Sequence, residues 1–403
     1  MDMDDDDDHD ATFCRMMELV SSNRTEKELE WELQYLKIPG LVTKANALSW
    51  LHKNLPCGVS RIIEFHCCPN DHLLFYKDFA KDTRCKVCNA ARYRKDGKTP
   101  VRVYPYIPLA DRFRRFYKSL EWSKKFDHQF KRTSKDGYFT DIADGELFKN
   151  ITTSIPFSKY TPPLFFGVDG ITMDGKKTKT LEPLALVNLF LPPHERTKSA
   201  YHILSGLLPE NASNVKVFMQ PLLDEIAEGF NVQDACDGKW HRCKPILLFG
   251  VFDTRGLPKI TLGNQTPSKY ACHVCHHKGI WSKVAHTTVY PGHFSFCCSE
   301  AEEIRKDSFK TLPLNHEAKA FTDEPPALRT QEELVAAGKL ADAATVLPDK
   351  PNHPCKIHFQ QHSTYIDQYF PYWCGRDCVC YDPMHAFMNK GINIYIYIYI
   401  YTY

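Results

Sequence analysis

Between positions 68 and 88 the chain reads CPNDHLLFYKDFAKDTRCKVC, which sets Cys68-x3-His72 ahead of Cys85-x2-Cys88. Two short ligand pairs joined by a hairpin-sized loop supply the four soft or borderline donors that a tetrahedral zinc ion needs. Protein donors would fill every position, so such a site is closed and structural. Cys67 stands beside Cys68 as an alternative ligand, and a set of reduced, buried thiols is the plainer reading. A second kind of chemistry is written in two aspartates. Asp169 ends the apolar run in "FFGVDGI", and Asp253 ends the one in "ILLFGVFDTRG". Carboxylates projecting from neighbouring strand ends build a hard-oxygen site for Mg²⁺, and two such ions about 4 Å apart can activate a nucleophile and stabilise a leaving phosphate oxygen. An Asp at a strand end is also ordinary turn chemistry, so spacing alone leaves both readings open.

A third pattern lies between Arg92 and Arg132, where basic residues outnumber acidic ones. In "LADRFRRFYKSLEWSKKF", Leu109, Phe113, Phe116, Tyr117 and Leu120 fall at helical spacing on one face, and Arg112, Arg114, Arg115 and Lys118 lie off that stripe. A cationic helix of this kind suits contact with a phosphate backbone. The competing reading is a solvated face over an ordinary core stripe.

These residues need elements to hold them. From about 162 the chain turns to short apolar runs bounded by Pro and Gly, "PLFFGVDGI", "LEPLALVNLFL" and "KPILLFGVFD", with a helical stretch at 217–230. Strands interleaved with helices predict an α/β domain. Further helix signals are the capping boxes Thr25–Glu28, ahead of Leu29, Leu33 and Leu36, and Thr330-x-x-Glu333, ahead of "LVAAGKLADAA". A second N-terminal helix is expected from Ala45 towards Pro56. The 403 residues suffice for two or three domains, and 43% hydrophobic content suits a folded chain. The net charge of +2 says nothing of partners, but MDMDDDDDHD reads as a solvated acidic tail. That Asp run replaces the features of a signal peptide, and no apolar run is long enough to span a membrane. The 16 cysteines are therefore read as thiols of a reducing compartment, where paired spacing favours metal.

The chain resembles transposases of the CACTA (En/Spm-type) superfamily of DNA elements. The resemblance rests on "CPNDHLLFYKDFAKDTRCKVC", "YIPLADRFRRFY", "GVDGI", "LEPLALVNLFLPPHER", "ILSGLLPEN", "FGVFDTRGLPKITLGNQTPSKYACHVC" and "YDPMHAFMNKGI", in that order from about 64 to 391. It implies an α/β fold with an RNase H-like catalytic domain, an N-terminal zinc-binding module and a Cys/His-containing insertion. It also implies a DDE-type acidic triad holding Mg²⁺ or Mn²⁺, with Asp169 as first acid and Asp253 as second. Cys272 and Cys275 match one half of a second metal site in the insertion, and Asp382 and His385 match the other. Cys374, Cys378 and Cys380 crowd the same region. His72 stands where the family more usually has cysteine, which zinc tolerates.

On this reading the organisation is an acidic tail and helical region over 1–63, the zinc module over 64–100 and a basic aromatic helical region over 101–160. The RNase H-like core follows over 161–263, the insertion over 264–391 and a low-complexity tail over 392–403. The implied activity is metal-dependent cleavage and transfer of DNA strands, with transposon ends and target DNA as partners, a homo-oligomer as a further partner, no membrane, and the nucleus as location. The third acid is expected after the His385 segment, yet no Asp or Glu follows Asp382, and "YIYIYIYTY" stands there instead. A TA dinucleotide repeat translates as alternating Tyr and Ile, so the expectation is a truncated copy with its catalysis lost. The alternative is a zinc-stapled DNA-binding protein without catalysis.

Overall fold

The computed structural model describes residues 61–381 apart from 136, 173–179, 197, 199–200, 210–211, 254, 283–285, 290–325 and 345–352, together with Glu28 and Asn46. The acidic start, all but those two residues of the helices expected between 11 and 56, Asp382, His385 and the Tyr-Ile segment lie outside the described residues.

Two short strands come first, β1 (Ile63–His66) and β2 (Val103–Tyr106), followed by the helices α1 (Leu109–Lys118), α2 (Leu120–Lys125), α3 (His128–Lys131) and α4 (Glu146–Ser154). The apolar runs then form β3 (Pro163–Val168), with β4 (Ile171–Thr172) after it, and β5 (Thr180–Asn188). Beyond the short helix α5 (Pro193–Arg196) come β6 (His202–Leu208), the long helix α6 (Val215–Glu228) and the hairpin of β7 (Phe230–Gln233) and β8 (Trp240–Cys243). The second aspartate run is β9 (Ile246–Phe252), followed by α7 (Gly256–Thr261) and the hairpin of β10 (Ile280–Ser282) and β11 (Thr287–Val289). The last described elements are α8 (Gln331–Asp342), α9 (Ile366–Tyr369) and β12 (Val379–Tyr381).

The main sheet runs β1-β2-β6-β5-β3-β9-β12, with β4 paired to β5. Its pairs are antiparallel from β1 through to β3, whereas β9 is parallel to β3 and β12 is parallel to β9. The fold is thus mixed α/β, as the interleaving predicts. Strand β9, flanked by parallel neighbours, is apolar along its whole length because such strands are covered on both faces. Phe165 stacks on Phe249 at 5.5 Å, and Phe166 meets Phe252 edge-on at 5.2 Å. These contacts lock the two strands that carry Asp169 and Asp253 at their ends.

Helix α6 buries Val215, Val217, Phe218, Met219, Leu222, Leu223 and Ile226, an almost all-round apolar surface that only a core helix tolerates. It stops at Gly229, whose φ of +71° and 2.7 Å approach of an added Cβ to the Cys243 carbonyl leave no room for a side chain. One polar residue of α6 has a specific use. Glu225 accepts from the backbone amides of Leu109 and Ala110, each at 2.8 Å, and from the Tyr106 hydroxyl. Helix α1 begins after Pro108, which offers no capping side chain, so a carboxylate from another helix satisfies its free amides.

Two sequence expectations change here. The stripe Leu109, Phe113, Phe116 and Tyr117 is buried, but Leu120 is exposed. Ser119 takes an extended conformation, ends α1 and caps α2 through its hydroxyl to the Trp122 amide. Trp122 then stacks on Phe116 at 4.5 Å, filling the place expected for Leu120. Second, the sheet is not confined to the middle of the chain. Strand β1 ends at His66, the cysteine-rich segment follows, and β2 returns antiparallel to β1 at the sheet edge. The metal-ligand segment is therefore an excursion between two strands of the main sheet. Likewise β12 lies within the 264–391 segment yet completes that sheet.

Candidate functional site: a metal-ligand cluster and an acidic cleft

Cys68, His72, Cys85 and Cys88 converge so that one ligand atom from each lies within 4.8 Å of all the others. Cys68 Sγ is 3.5 Å from Cys88 Sγ and 3.7 Å from His72 Nδ1. A tetrahedron with Zn–S bonds of about 2.3 Å has edges of roughly 3.7 Å, so the spacing fits zinc. Each ligand pair, Cys68 with His72 and Cys85 with Cys88, sits on a tight turn. The Asp71 amide donates to the Cys68 carbonyl and the Asn89 amide to the Cys85 carbonyl, with Asp71 and Asn89 at φ of 54° and 58°. The turns aim amides at sulfur, Asn70 N at Cys68 Sγ and Val87 N at Cys85 Sγ, both at 3.4 Å. Such donors stabilise thiolates. Cys68 is the one that the geometry gathers with His72, Cys85 and Cys88, whereas Cys67 faces the main core; burial pushes both thiols up, Cys68 to about 11 and Cys67 to about 12.

The cluster is tied to the core through a buried carboxylate. Asp71, in the turn between Cys68 and His72, pairs with Arg102 at 3.0 Å and accepts from the Ser213 amide at 2.8 Å, just ahead of α6. Lys77 adds an ion pair to Asp224 of α6 at 2.8 Å. Arg92 works as a staple. Its guanidinium donates to His66 Nδ1, the Ala80 carbonyl and the Asp82 carbonyl and lies over the rings of Phe75 and Tyr93.

The aspartates meet elsewhere, at the far end of the parallel pair. Phe165 is registered with Phe249 and Phe166 with Gly250. Carried three residues further, that register sets Asp169 beside Asp253, on strands spaced about 4.8 Å apart. Both line one cleft of about 330 Å³, together with Glu182, Val215, Arg255 and Lys259. Asp169 is exposed and Asp253 half-buried. Asp253 Oδ1 accepts from the amides of Arg255 and Gly256, which makes it the cap of α7. A Cβ added at Gly256 would lie 3.0 Å from that oxygen and 3.5 Å from the Val168 carbonyl oxygen. A larger residue there would crowd the Asp253 carboxylate.

Glu182 is a third carboxylate of the cleft that the sequence reading did not single out. It opens the buried half of β5, its Oε1 accepts from Lys259 Nζ at 2.7 Å, and its buried Oε2 has no hydrogen-bond partner among the described residues. The signal was a lone acid at the head of "LEPLALVNLFL". Its partner lies 77 positions away, so no local pattern marks it.

Other expected groupings are looser. Cys272 and Cys275 lie with their sulfurs 3.5 Å apart, and between them His273 is buried with Nε2 2.9 Å from the Val379 carbonyl of β12. The half-site thus adjoins the strand that leads to Asp382 and His385, which lie outside the described residues. Among the described residues only the cluster at 68–88 gathers three or more ligands. The four cations of α1 do not share a free face. Arg112 is half-buried with its guanidinium 4.9 Å from the Phe116 ring centroid, and burial beside Arg115 pulls its pKa down to about 10. Arg114 pairs with Asp111 at 3.1 Å.

Against this geometry, a family model described as transposase family tnp2 matches residues 136–337, half of the chain. The match takes in Asp169, Glu182, Asp253, Cys272 and Cys275 and leaves out the cluster at 68–88. No curated protein matches the chain. No helix among the described residues is long and apolar enough to cross a membrane.

Proposed function

Because the chain belongs to the tnp2 transposase family, we propose that it is the DNA-processing protein of a cut-and-paste element of the CACTA (En/Spm-type) superfamily, acting in the nucleus on element ends and target DNA. The observation that carries this is the shared cleft of Asp169 and Asp253 at the ends of adjacent parallel strands. Three antiparallel strands extended by two parallel ones support an RNase H-like core spanning 161–263 and completed by β12.

Oxygen donors from Asp169 and Asp253 suit Mg²⁺ or Mn²⁺, and Glu182, paired with Lys259, lines the same cleft. Asp169 and Asp253 would hold the ion. A bound divalent ion supplies neutralisation of the charge that grows on phosphate oxygens during strand cleavage. The protein's own part is positional. Lys259 holds Glu182 in place, the α7 amides fix Asp253, and Arg255 and Lys259 put positive charge where a DNA phosphate enters. At Cys68, His72, Cys85 and Cys88 zinc serves as a structural ion. Cys272 and Cys275, with sulfurs 3.5 Å apart, would supply one half of a second metal site.

The capping of α7 by Asp253 favours the second reading, a zinc-stapled DNA-binding protein in which that aspartate is only a turn residue. Mn²⁺ titration of the zinc-loaded chain, read by water-proton relaxation and run beside Mg²⁺-dependent nicking of duplex DNA, decides. The expected result is Mn²⁺ binding weakened at least about tenfold in Asp169→Asn and Asp253→Asn, with any nicking by the parent lost in both. Equal binding in both variants sinks the cleft as a metal site. Nicking that persists unchanged in Asp169→Asn overturns the catalytic role of that aspartate alone.

A further inference from the structure

The segment after Cys88 doubles back twice through isolated antiparallel bridges, Arg84 to Ala91 and Tyr93 to Pro100. Arg92 N donates to the Thr83 carbonyl at 2.9 Å on one side, and Val101 N donates to the Arg92 carbonyl at 2.9 Å on the other. The segment ends in a hairpin tip, Arg94-Lys95-Asp96-Gly97-Lys98-Thr99, closed by Arg94 N to the Thr99 carbonyl at 2.8 Å, with Gly97 at φ +69°. Asp96 faces its own turn, accepting from the amides of Lys98 and Thr99 and from the Thr99 hydroxyl. Arg94, Lys95 and Lys98 stand exposed, with Arg84 exposed on the adjoining segment. Among the described residues none of these four forms an ion pair. The base beneath them is rigid, held by the metal-ligand cluster and the Arg92 staple.

We propose that this tip, with Arg84, is the surface on which the protein takes up the phosphate backbone of duplex DNA. The proposal rests on the DNA-processing reading and moves its contact surface away from helix α1. Phosphate contact asks for exposed, uncompensated cations on a pre-set frame and carries no sequence information. The hairpin offers exposed cations that form no ion pair among the described residues, with Asp96 of the same turn close enough to attract Arg94 and Arg84 donating to the Asn89 carbonyl at 3.0 Å, whereas Arg112 lies over Phe116 and Arg114 pairs with Asp111. The tip also lies outside residues 136–337, so family membership assigns it nothing.

The test uses the full zinc-loaded chain and a fluorescent duplex of arbitrary sequence and about 20 base pairs, read by anisotropy across a salt series. The triple change Arg94→Ala, Lys95→Ala, Lys98→Ala is expected to weaken binding at least about tenfold. It should also lower the slope of log K against log salt by roughly 2 to 3, close to 0.9 per lost phosphate contact. The control pair Arg114→Ala, Lys118→Ala should stay within about twofold of the parent. Zinc content and circular dichroism check that the tip variant is folded. Unchanged affinity in the folded tip variant, or an equal loss in the control pair, overturns the surface. Absence of DNA binding by the parent chain overturns the reading beneath it as well. Tighter binding of single-stranded RNA or of anionic vesicles than of duplex DNA overturns the choice of partner.

Discussion

Asp234 shows how one side chain can organise a region. It is buried and accepts from Ser123 Oγ, the Tyr160 hydroxyl, the Cys236 amide and the Lys159 ammonium. Burial works against its charge, but the hydrogen bonds and Lys159 outweigh that and hold its pKa at about 2 against an ordinary 3.8. A carboxylate with a depressed pKa stabilises the fold above its unfolded value and loses that stabilisation as pH falls towards the folded one. Asp234→Asn should therefore lower stability at neutral pH. It should also flatten the acid dependence between pH 3.8 and about 2, as followed by denaturant titrations across that range. A parallel downward shift of the whole profile would refute that role. At this scale the sequence was readable where ligands are close in the chain. Cys68-x3-His72 and Cys85-x2-Cys88 announce themselves, because each pair needs only one turn. Asp169 and Asp253 are identifiable as strand-end acids, but their adjacency comes from strand register. Glu182 depends on Lys259, and nothing local reveals it.

Elements were legible in proportion to their length and burial. Strands β3, β5 and β9 are apolar runs, and α8 carries its capping box, with Thr330 Oγ1 accepting from Glu333 N at 3.2 Å. Strands β1, β2 and β12 are three or four residues long and gain their identity from partners. Helix α1 likewise depends on Glu225, far along the chain. Glu225→Ala would leave two amides and the Tyr106 hydroxyl without their acceptor in a part-buried place. The expected cost is about 2–3 kcal/mol in chemical denaturation. Since α1 carries Phe113, Phe116 and Tyr117 of the main core, the loss should appear in the single global transition. A change below about 0.5 kcal/mol, within the range of ordinary surface substitutions, would mean that water replaces the carboxylate without penalty.

For the molecule as a whole, the metal-ligand excursion and the sheet are joined by direct contacts. Asp71 and Lys77 reach α6, and β1 and β2 flank the excursion on either side. Metal removal should therefore be felt beyond residues 68–88. Chelation is expected to lower the melting temperature of the entire chain by on the order of 5–10 °C. Cys68→Ser should abolish the zinc measured per chain, and Cys67→Ser should retain it. A separate low-temperature transition on chelation, with the main one unmoved, would show the two parts to be independent.

The place of β12 has a consequence for synthesis. Its partner β9 is complete at Phe252, but Val379–Tyr381 is made only after the whole intervening Cys/His region. During translation β9 waits with one hydrogen-bonding edge bare, open to pairing with another nascent chain. Ribosome-bound intermediates of this protein should need shelter by chaperones until that closing strand emerges.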